Sequence, residues 1–317
     1  MLEVASALND SVDAFGVAFL DEALQLRNVG ISIPILVLDG FYEQAELRVM
    51  QAENIWAVVH SQEQIDLLSE AELLSPFHVW LKMNTGMQRL GFEPDEYKDA
   101  YDTLCKIDGV NVSTHMTHFA CADEEDRRFT QHQIDAFLSV TSTMPGAKSL
   151  ANSAGVLNHK DTHADWIRPG IALYGLNPCA ALDNDANDFA FRPAMRFHSQ
   201  VLAVREVKRG TGAGYNHRWT ATRDSRLAVV AVGYGDGYPR DIGNGAPILV
   251  NGERAKIVGC VSMDMLMADV TDISNVSVGS PVELWGTQLP VKDVARHANL
   301  SMYELVTRLT GRVSRLY

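Results

Sequence analysis

Apolar and polar positions follow two rhythms along this chain. Up to about residue 175, short runs rich in Val, Ile and Phe alternate with longer segments whose apolar residues recur three and four apart. The short runs read as strands at 13–18, 34–39, 55–60, 78–84, 110–118, 147–152 and 166–171. The longer segments read as helices at 20–29, 43–53, 62–74, 95–106 and 124–141, with acidic residues in or near the first turn. Strand and helix in turn predict crossover connections and a parallel sheet.

Residues 1–8, M-L-E-V-A-S-A-L, read as a helix with no strand ahead of it. A crossover helix joins two parallel strands, and an eight-stranded (β/α) barrel needs one strand more than the seven read here. The expectation for residues 1–180 is therefore a (β/α)8 barrel without its first strand. Past residue 190 the runs at 197–207, 226–232, 246–250, 255–261 and 281–285 are short and separated by turns. Asn251-Gly252 between two of them is a hairpin signal, because both central positions need positive φ. A second, mostly antiparallel β domain is expected over 190–317, with a helix at 301–310. The linker is expected within Pro178–Phe191, where A-L-D-N-D-A-N-D, 181–188, is polar and turn-rich.

Composition narrows the function classes. The chain has 317 residues, 46% of them hydrophobic, enough for more than one core. Its 27 basic and 40 acidic side chains give a net charge of −13, which repels nucleic acid and anionic membrane. No apolar run approaches the roughly 20 residues of a membrane-spanning helix, and no basic-then-apolar leader opens the sequence, so it reads as a cytoplasmic protein. Cys105, Cys121, Cys179 and Cys260 lack metal-ligand spacing and read as reduced, mostly buried thiols. Cys260, although close to Met263, reads as packing. No G-x-G-x-x-G joins a strand to a helix, and G-Y-G-D-G-Y is followed by Pro239 where a phosphate loop needs a helix.

Several segments carry more specific chemistry, most of them after strand ends, where barrel sites form. In the first half they are K-M-N-T-G-M-Q-R-L-G at 82–91, T-H-F-A at 117–120, A-N-S-A-G at 151–155 and I-R-P-G-I-A-L-Y-G at 167–175. The second half has G-A-G-Y at 212–215, V-G-Y-G-D-G-Y-P-R at 232–240 and S-M-D-M at 262–265. Taken alone, each has a plainer reading. Arg168, set among apolar neighbours, needs an anionic partner, either a ligand or a structural carboxylate such as Asp165. Tyr215 can be a turn residue, His118 a satisfied polar group at a strand end, Ser153 a helix N-cap and Lys82 a solvent-facing lysine.

In order and spacing these segments resemble the alanine racemases, enzymes of fold type III that use pyridoxal 5′-phosphate in a barrel followed by a C-terminal β domain. The resemblance runs from about Met1 to Arg312. It implies a racemase interconverting L- and D-alanine for peptidoglycan precursors by two-base proton transfer. Arg168 then faces the pyridine nitrogen, which stays unprotonated because arginine keeps its proton. Tyr215 corresponds to the base for L-alanine; a free phenol, with a pKa near 10, needs help at neutral pH, and His118 with Arg168 occupies the helping positions. Ser153 and the backbone at Gly170 and Ile171 match phosphate contacts. Arg89 matches an arginine near the cofactor's phenolic oxygen and the substrate carboxylate, which a guanidinium fork holds well. Lys82 matches a lysine carbamylated in some members that braces that arginine. Met263 and Asp264 match a pair supplied by the neighbouring subunit, and Tyr234 a tyrosine of the narrow entrance. The implied assembly is a homodimer with shared sites, and no nucleic acid or membrane partner.

One part of the pattern has no counterpart. The family's cofactor-binding lysine, which forms the Schiff base and serves as the second base, lies in a segment like V-K-A-N-A-Y-G-H-G, and no lysine precedes Lys82 here. The tyrosine that follows it is absent too, and another expected near the C-terminus is Gly311. Strand count and motif then point to the same missing front segment. Three explanations stay open: a start at the wrong methionine, an inactive cofactor-binding remnant, or another lysine, Lys82, taking over. A racemase of broader amino-acid specificity is a further alternative.

Overall fold

The computed structural model describes residues 1–179 and 191–317, so residues 180–190 of the expected linker lie outside the described residues. The described residues form two compact units, one built on Met1–Leu173 and the other on 191–317 with Tyr174–Leu176.

In the first unit all seven expected strands form: β1 (Phe15–Val17), β2 (Ile35–Val37), β3 (Ile55–Val59), β4 (Phe77–Lys82), β5 (Val110–Met116), β6 (Ala147–Asn152) and β7 (Trp166–Arg168). They pair in parallel in chain order, the wall of a (β/α) barrel, and β1 is not paired with β7 among the described residues. The helices are α1 (Leu2–Leu8), α2 (Leu20–Asn28), α3 (Gln44–Ala52), α4 (Gln62–Glu70), α5 (Tyr97–Leu104), α6 (Arg128–Thr141) and α7 (Ser153–Asn158). The last was not expected, because six residues are too few to show a period. β7 stops three residues short of its expected end, since Pro169 offers no N–H and a 3₁₀ turn, Ile171–Tyr174, begins just beyond.

Both faces are covered at β2, β3 and β4, so these strands read as nearly unbroken apolar runs. Alternation along each strand sorts the two faces. One face carries Leu36, Val58, Trp80 and Met116 in a single cluster, joined by Leu38, Trp56 and Trp166. The three tryptophans meet in pairs, with Trp166 centred 5.4 Å from Trp80 and 6.3 Å from Trp56.

The second unit holds β8 (Phe197–Val207), β9 (Gly212–Ala213), β10 (Trp219–Thr220), β11 (Ser225–Val230), β12 (Pro247–Val250), β13 (Glu253–Val258), β14 (Leu266–Asp269) and β15 (Pro281–Trp285), then α8 (Val291–Ala298) and α9 (Met302–Thr307). Six strands close into an antiparallel barrel in the order β11, β14, β13, β12, β15, β8. The expected hairpin joins β12 to β13, with Asn251 and Gly252 at φ of 52° and 81°. β9, β10, β14 and α8 are additional to the expected elements. One continuous core, centred on residues such as Trp285, Ile248, Val230 and Leu284, fills this barrel. Only Cys179 among the four cysteines is buried: Cys105 caps α5 at the surface, and Cys121 and Cys260 are half-buried in loops, so buried packing is not their shared role. No helix among the described residues is long and apolar enough to cross a membrane.

Candidate active site

Three expected site residues rise from the same face of the first sheet. Lys82 lies two residues beyond Trp80, Arg168 two beyond Trp166, and His118 two beyond Met116. Alternation therefore sets them on one side at the C-terminal ends of β4, β7 and β5, on a floor of tryptophan and aliphatic side chains. An apolar floor withholds water from whatever charge stands on it.

The electrostatics follow from that placement. Burial pulls the Arg168 guanidinium down to about 10. Burial, then the charges of Arg89 and Arg168, brings the Lys82 ammonium down to about 8, against a weaker opposite pull from Asp39. His118 is lowered to about 3 by burial and by Arg168, Arg89 and Lys82, so its imidazole is neutral at ordinary pH. Arg168 donates to Ser149 Oγ at 2.5 Å, to the Thr117 carbonyl at 2.6 Å and to the Leu150 carbonyl at 3.3 Å, all neutral acceptors. Asp165, the structural carboxylate proposed for it, instead accepts from the Lys148 amide at 2.8 Å. Among the described residues no carboxylate lies within ion-pair distance of Lys82, Arg89 or Arg168.

Arg89 is exposed and is carried by the loop 83–92, whose base is closed by Asn84 N–H to the Phe92 carbonyl at 2.8 Å and Phe92 N–H to the Lys82 carbonyl at 3.0 Å. The Asn84 side chain organises the loop from within: Oδ1 accepts from the amides of Gly86 and Gln88, and Nδ2 donates to Glu93 Oε1 at 2.6 Å. Gly91 is required at the turn, with φ of 118° and a would-be Cβ only 2.7 Å from Asn84 N.

Ser153 is buried, and the N-cap of α7 is Asn152, whose Oδ1 accepts from Gly155 N at 2.9 Å; the capping role read for Ser153 belongs to its neighbour. Ser153 Oγ instead accepts the Gly170 amide at 2.8 Å and the Ala172 amide at 3.4 Å. The end of β6 and the turn after β7 are thus tied together. A Cβ at Gly170 would meet nothing within 4 Å, and Ile171, beside it, is buried.

In the second unit Tyr215 stands 66% exposed. The backbone around it is left-handed at Gly214, Asn216 and His217, an uncommon series for non-glycine residues that lifts the tyrosine off β9. Tyr234 and Met263 are brought together by two amides: Tyr234 N–H donates to the Ser262 carbonyl at 3.0 Å and Gly235 N–H to the Met263 carbonyl at 2.9 Å. Asp264, next in line, accepts from Arg312 Nη2 at 2.6 Å, and Arg312 Nε lies 3.4 Å from Asp236.

Sequence reasoning passed over Asp39, Asn84, Gln133, Ser149 and Arg312. Asn84 lies inside a segment already marked as specific, and Ser149 sits in β6 beside the polar Lys148, with nothing in the sequence to set it apart. Gln133 shares a helix face with Thr130, Phe137 and Thr141, all buried, a signal that polar side chains obscure.

The family signature described as "Alanine racemase, N-terminal domain" matches residues 1–178, and "Alanine racemase, C-terminal domain" matches 194–317. An alanine racemase of Vibrio atlanticus is 48% identical over 308 residues, covering 97% of this chain and 86% of its own length. The crystal structure of the biosynthetic alanine racemase from Pseudomonas aeruginosa superposes with a TM-score of 0.95 at 42% identity, covering 99% of this chain and 87% of that one. An alanine racemase from Bartonella henselae, described with covalently bound pyridoxal phosphate, superposes at 0.89 with 29% identity, covering 99% and 88%. Two domain signatures across nearly all the described residues, together with relatives this similar, place the chain in the alanine racemase family.

Proposed function

We propose that the chain interconverts L- and D-alanine, with pyridoxal 5′-phosphate held at the C-terminal ends of the first unit's strands. One observation carries the reading: Lys82, Arg89 and Arg168 gather around His118 beside an apolar floor with no carboxylate among the described residues to neutralise them, in a chain whose net charge is −13. The buried Lys82 and half-buried Arg168, left uncompensated, call for an anionic ligand.

The residues present fit that cofactor. Ser153 Oγ is already an acceptor for two amides, which leaves its proton free to donate to a phosphate oxygen beside Gly170 and Ile171. Arg168, held by three neutral acceptors, would face the pyridine nitrogen and, because arginine keeps its proton, would leave that nitrogen unprotonated. Arg89 offers a fork to the substrate carboxylate. When bound, the cofactor supplies an electron sink for the charge left on the α-carbon once its proton departs.

Tyr215 takes the α-proton of L-alanine. His118, neutral in its surroundings, is the residue we assign to assist it. An amine lowered to about 8 is partly neutral near pH 7.5, which suits Lys82 to attack carbon dioxide: the neutral nitrogen forms the new C–N bond and gives up one proton, so that the amine becomes an anion that braces Arg89. Tyr234, Met263 and Asp264 form the substrate end. The exposure of Tyr215, Tyr234 and Met263 supports a site completed by a second copy of the chain, an isologous homodimer. The four free thiols suit a reducing, cytoplasmic setting.

The test is α-proton exchange and D-alanine formation from L-alanine in deuterated water with added pyridoxal 5′-phosphate. The chain is expected to form D-alanine, and Tyr215→Phe to lose about 10²-fold or more of the exchange from the L side. A cofactor-loaded chain that exchanges no proton, or a Tyr215→Phe variant at the parental rate, overturns the reading.

A further inference from the structure

Behind the cationic cluster, Gln133 of α6 reaches inward with no solvent exposure and satisfies every polar atom of its carboxamide at the site's own loops. Its Nε2 donates to the His118 carbonyl at 3.0 Å and to Thr85 Oγ1 at 3.1 Å, while Oε1 accepts the Ala120 amide at 2.9 Å. One side chain therefore grips both flanks of His118–Ala120 and, through Thr85, the loop that carries Arg89.

The bonds run in one direction. Thr117 Oγ1 donates to the Met83 carbonyl at 3.1 Å, so at the 2.7 Å contact between Thr85 and Thr117 the Thr85 hydroxyl is the donor. Thr85 must then accept from Gln133, and its lone pair is met by the Nε2 proton. The same Thr117 offers its carbonyl to Arg168 at 2.6 Å. Helix α6 is thus connected by a directed chain, Gln133 to Thr85 to Thr117 to the Met83 carbonyl, to the segments bearing Arg89, His118 and Arg168. Buried and fully satisfied, such a network has one arrangement.

We propose that Gln133 is a positioning residue: its carboxamide sets where His118 and the Arg89 loop stand relative to Arg168, and so acts on proton transfer without touching the substrate. The inference rests on the racemase reading for its consequence, but its geometry is testable without turnover. A glutamine that only packed α6 against the sheet would tolerate replacement by leucine of similar volume, with the field at His118 unchanged.

The experiment uses the full chain, without and with pyridoxal 5′-phosphate, as Gln133→Leu, and follows histidine ring resonances, with His118→Asn assigning the signal. Burial first, and then the charges of Arg168 at the end of β7, Arg89 in the loop after β4 and Lys82 at the end of β4, hold His118 neutral. In the parent the His118 signal is expected to stay flat from about pH 7.5 to about pH 5, and in Gln133→Leu to titrate inside that window as the ring drifts from these cations toward the ordinary range. Racemisation is expected to lose about tenfold or more in kcat with KM within about twofold, the mark of a group acting on the reacting constellation. If Gln133→Leu does not fold, Thr85→Val removes one strut and is read the same way, with Thr85→Ser restoring the parental titration and rate. A folded Gln133→Leu with a flat His118 signal and parental kcat overturns the proposal, as does Thr85→Val behaving as the parent when it alone folds. A parent that fails to racemise counts against the function and not against the positioning, which the His118 titration decides by itself.

Discussion

Arg168 Nη1 and Ser149 Oγ stand 2.5 Å apart, and the bond has a fixed sense: the Ser149 proton goes to the Trp166 carbonyl at 2.9 Å, so its oxygen accepts from the guanidinium. Ser149 is fully buried. Ser149→Ala therefore removes one acceptor and one donor at once, leaving an Arg168 N–H and the Trp166 carbonyl unpaired. A loss of about 1–3 kcal/mol in chemical denaturation is expected, with weaker retention of pyridoxal 5′-phosphate as Arg168 loses one of its three anchors. An unchanged midpoint and unchanged cofactor retention would mean that the two carbonyl contacts suffice.

The acid side of the stability curve carries the signature of the same site. His118 is held at about 3, and burial lowers His115 and His159 in the same direction. A histidine whose folded pKa is depressed binds fewer protons folded than unfolded, so its contribution is lost as pH falls below its unfolded value near 6.5. Stability should decline from about pH 6.5 downward, with His118 alone accounting for a slope of up to about 1.4 kcal/mol per pH unit. Lys82 acts at the other end: its folded value near 8 lies below its ordinary 10.5, so a penalty present below about pH 8 is relieved as pH rises toward 10.5. Denaturation across pH should show a flatter acid limb in His118→Asn and no alkaline gain in Lys82→Met.

Gly233 is needed for space and not for an unusual φ. A Cβ there would sit 2.3 Å from both the Ser262 and Met263 carbonyl oxygens, the atoms that hold Tyr234 and Gly235. Gly233→Ala must push the two loops apart, at a cost of about 1–3 kcal/mol. Because the displaced loops carry Tyr234 on one side and Met263 with Asp264 on the other, KM for alanine should rise more than stability falls. A variant with parental KM would separate this contact from substrate binding.

Much of the fold is legible in the sequence because each rhythm has one physical cause. The parallel strands β2, β3 and β4 are nearly continuous apolar runs buried on both faces, and the hairpin at Asn251-Gly252 is announced by two residues that tolerate positive φ. What escapes is polar and interior. Gln133 looks like one more hydrophilic helix residue until its partners at Thr85, His118 and Ala120 are brought up by the tertiary fold. α7 is too short for a period, and Asn152 caps it where Ser153 looked equally suited. Arg168 is legible as a cation in want of an anion, but its neutral anchors, Ser149 and two carbonyls, come from other strands and are set by pairing that the local sequence does not display.

Arg312 links three segments of the second unit that the sequence spaces far apart. It donates to Asp264 at 2.6 Å and approaches Asp236 at 3.4 Å, and Asp236 in turn accepts the Gly233 amide at 2.9 Å. The pair with Asp264 is half-exposed on both sides, so its direct worth to stability is small, about 1 kcal/mol or less. Its effect on placement is larger, since the Asp264 side chain has no other hydrogen-bond partner among the described residues and Met263 precedes it. Arg312→Leu should leave the unfolding midpoint near the parent and raise KM for alanine severalfold with little change in kcat. Asp264→Asn should do the same, and the double variant should add little to either, because both single changes break one interaction. Additive effects in that cycle would show that Arg312 and Asp264 influence substrate binding independently, and that the ion pair does not orient the substrate end.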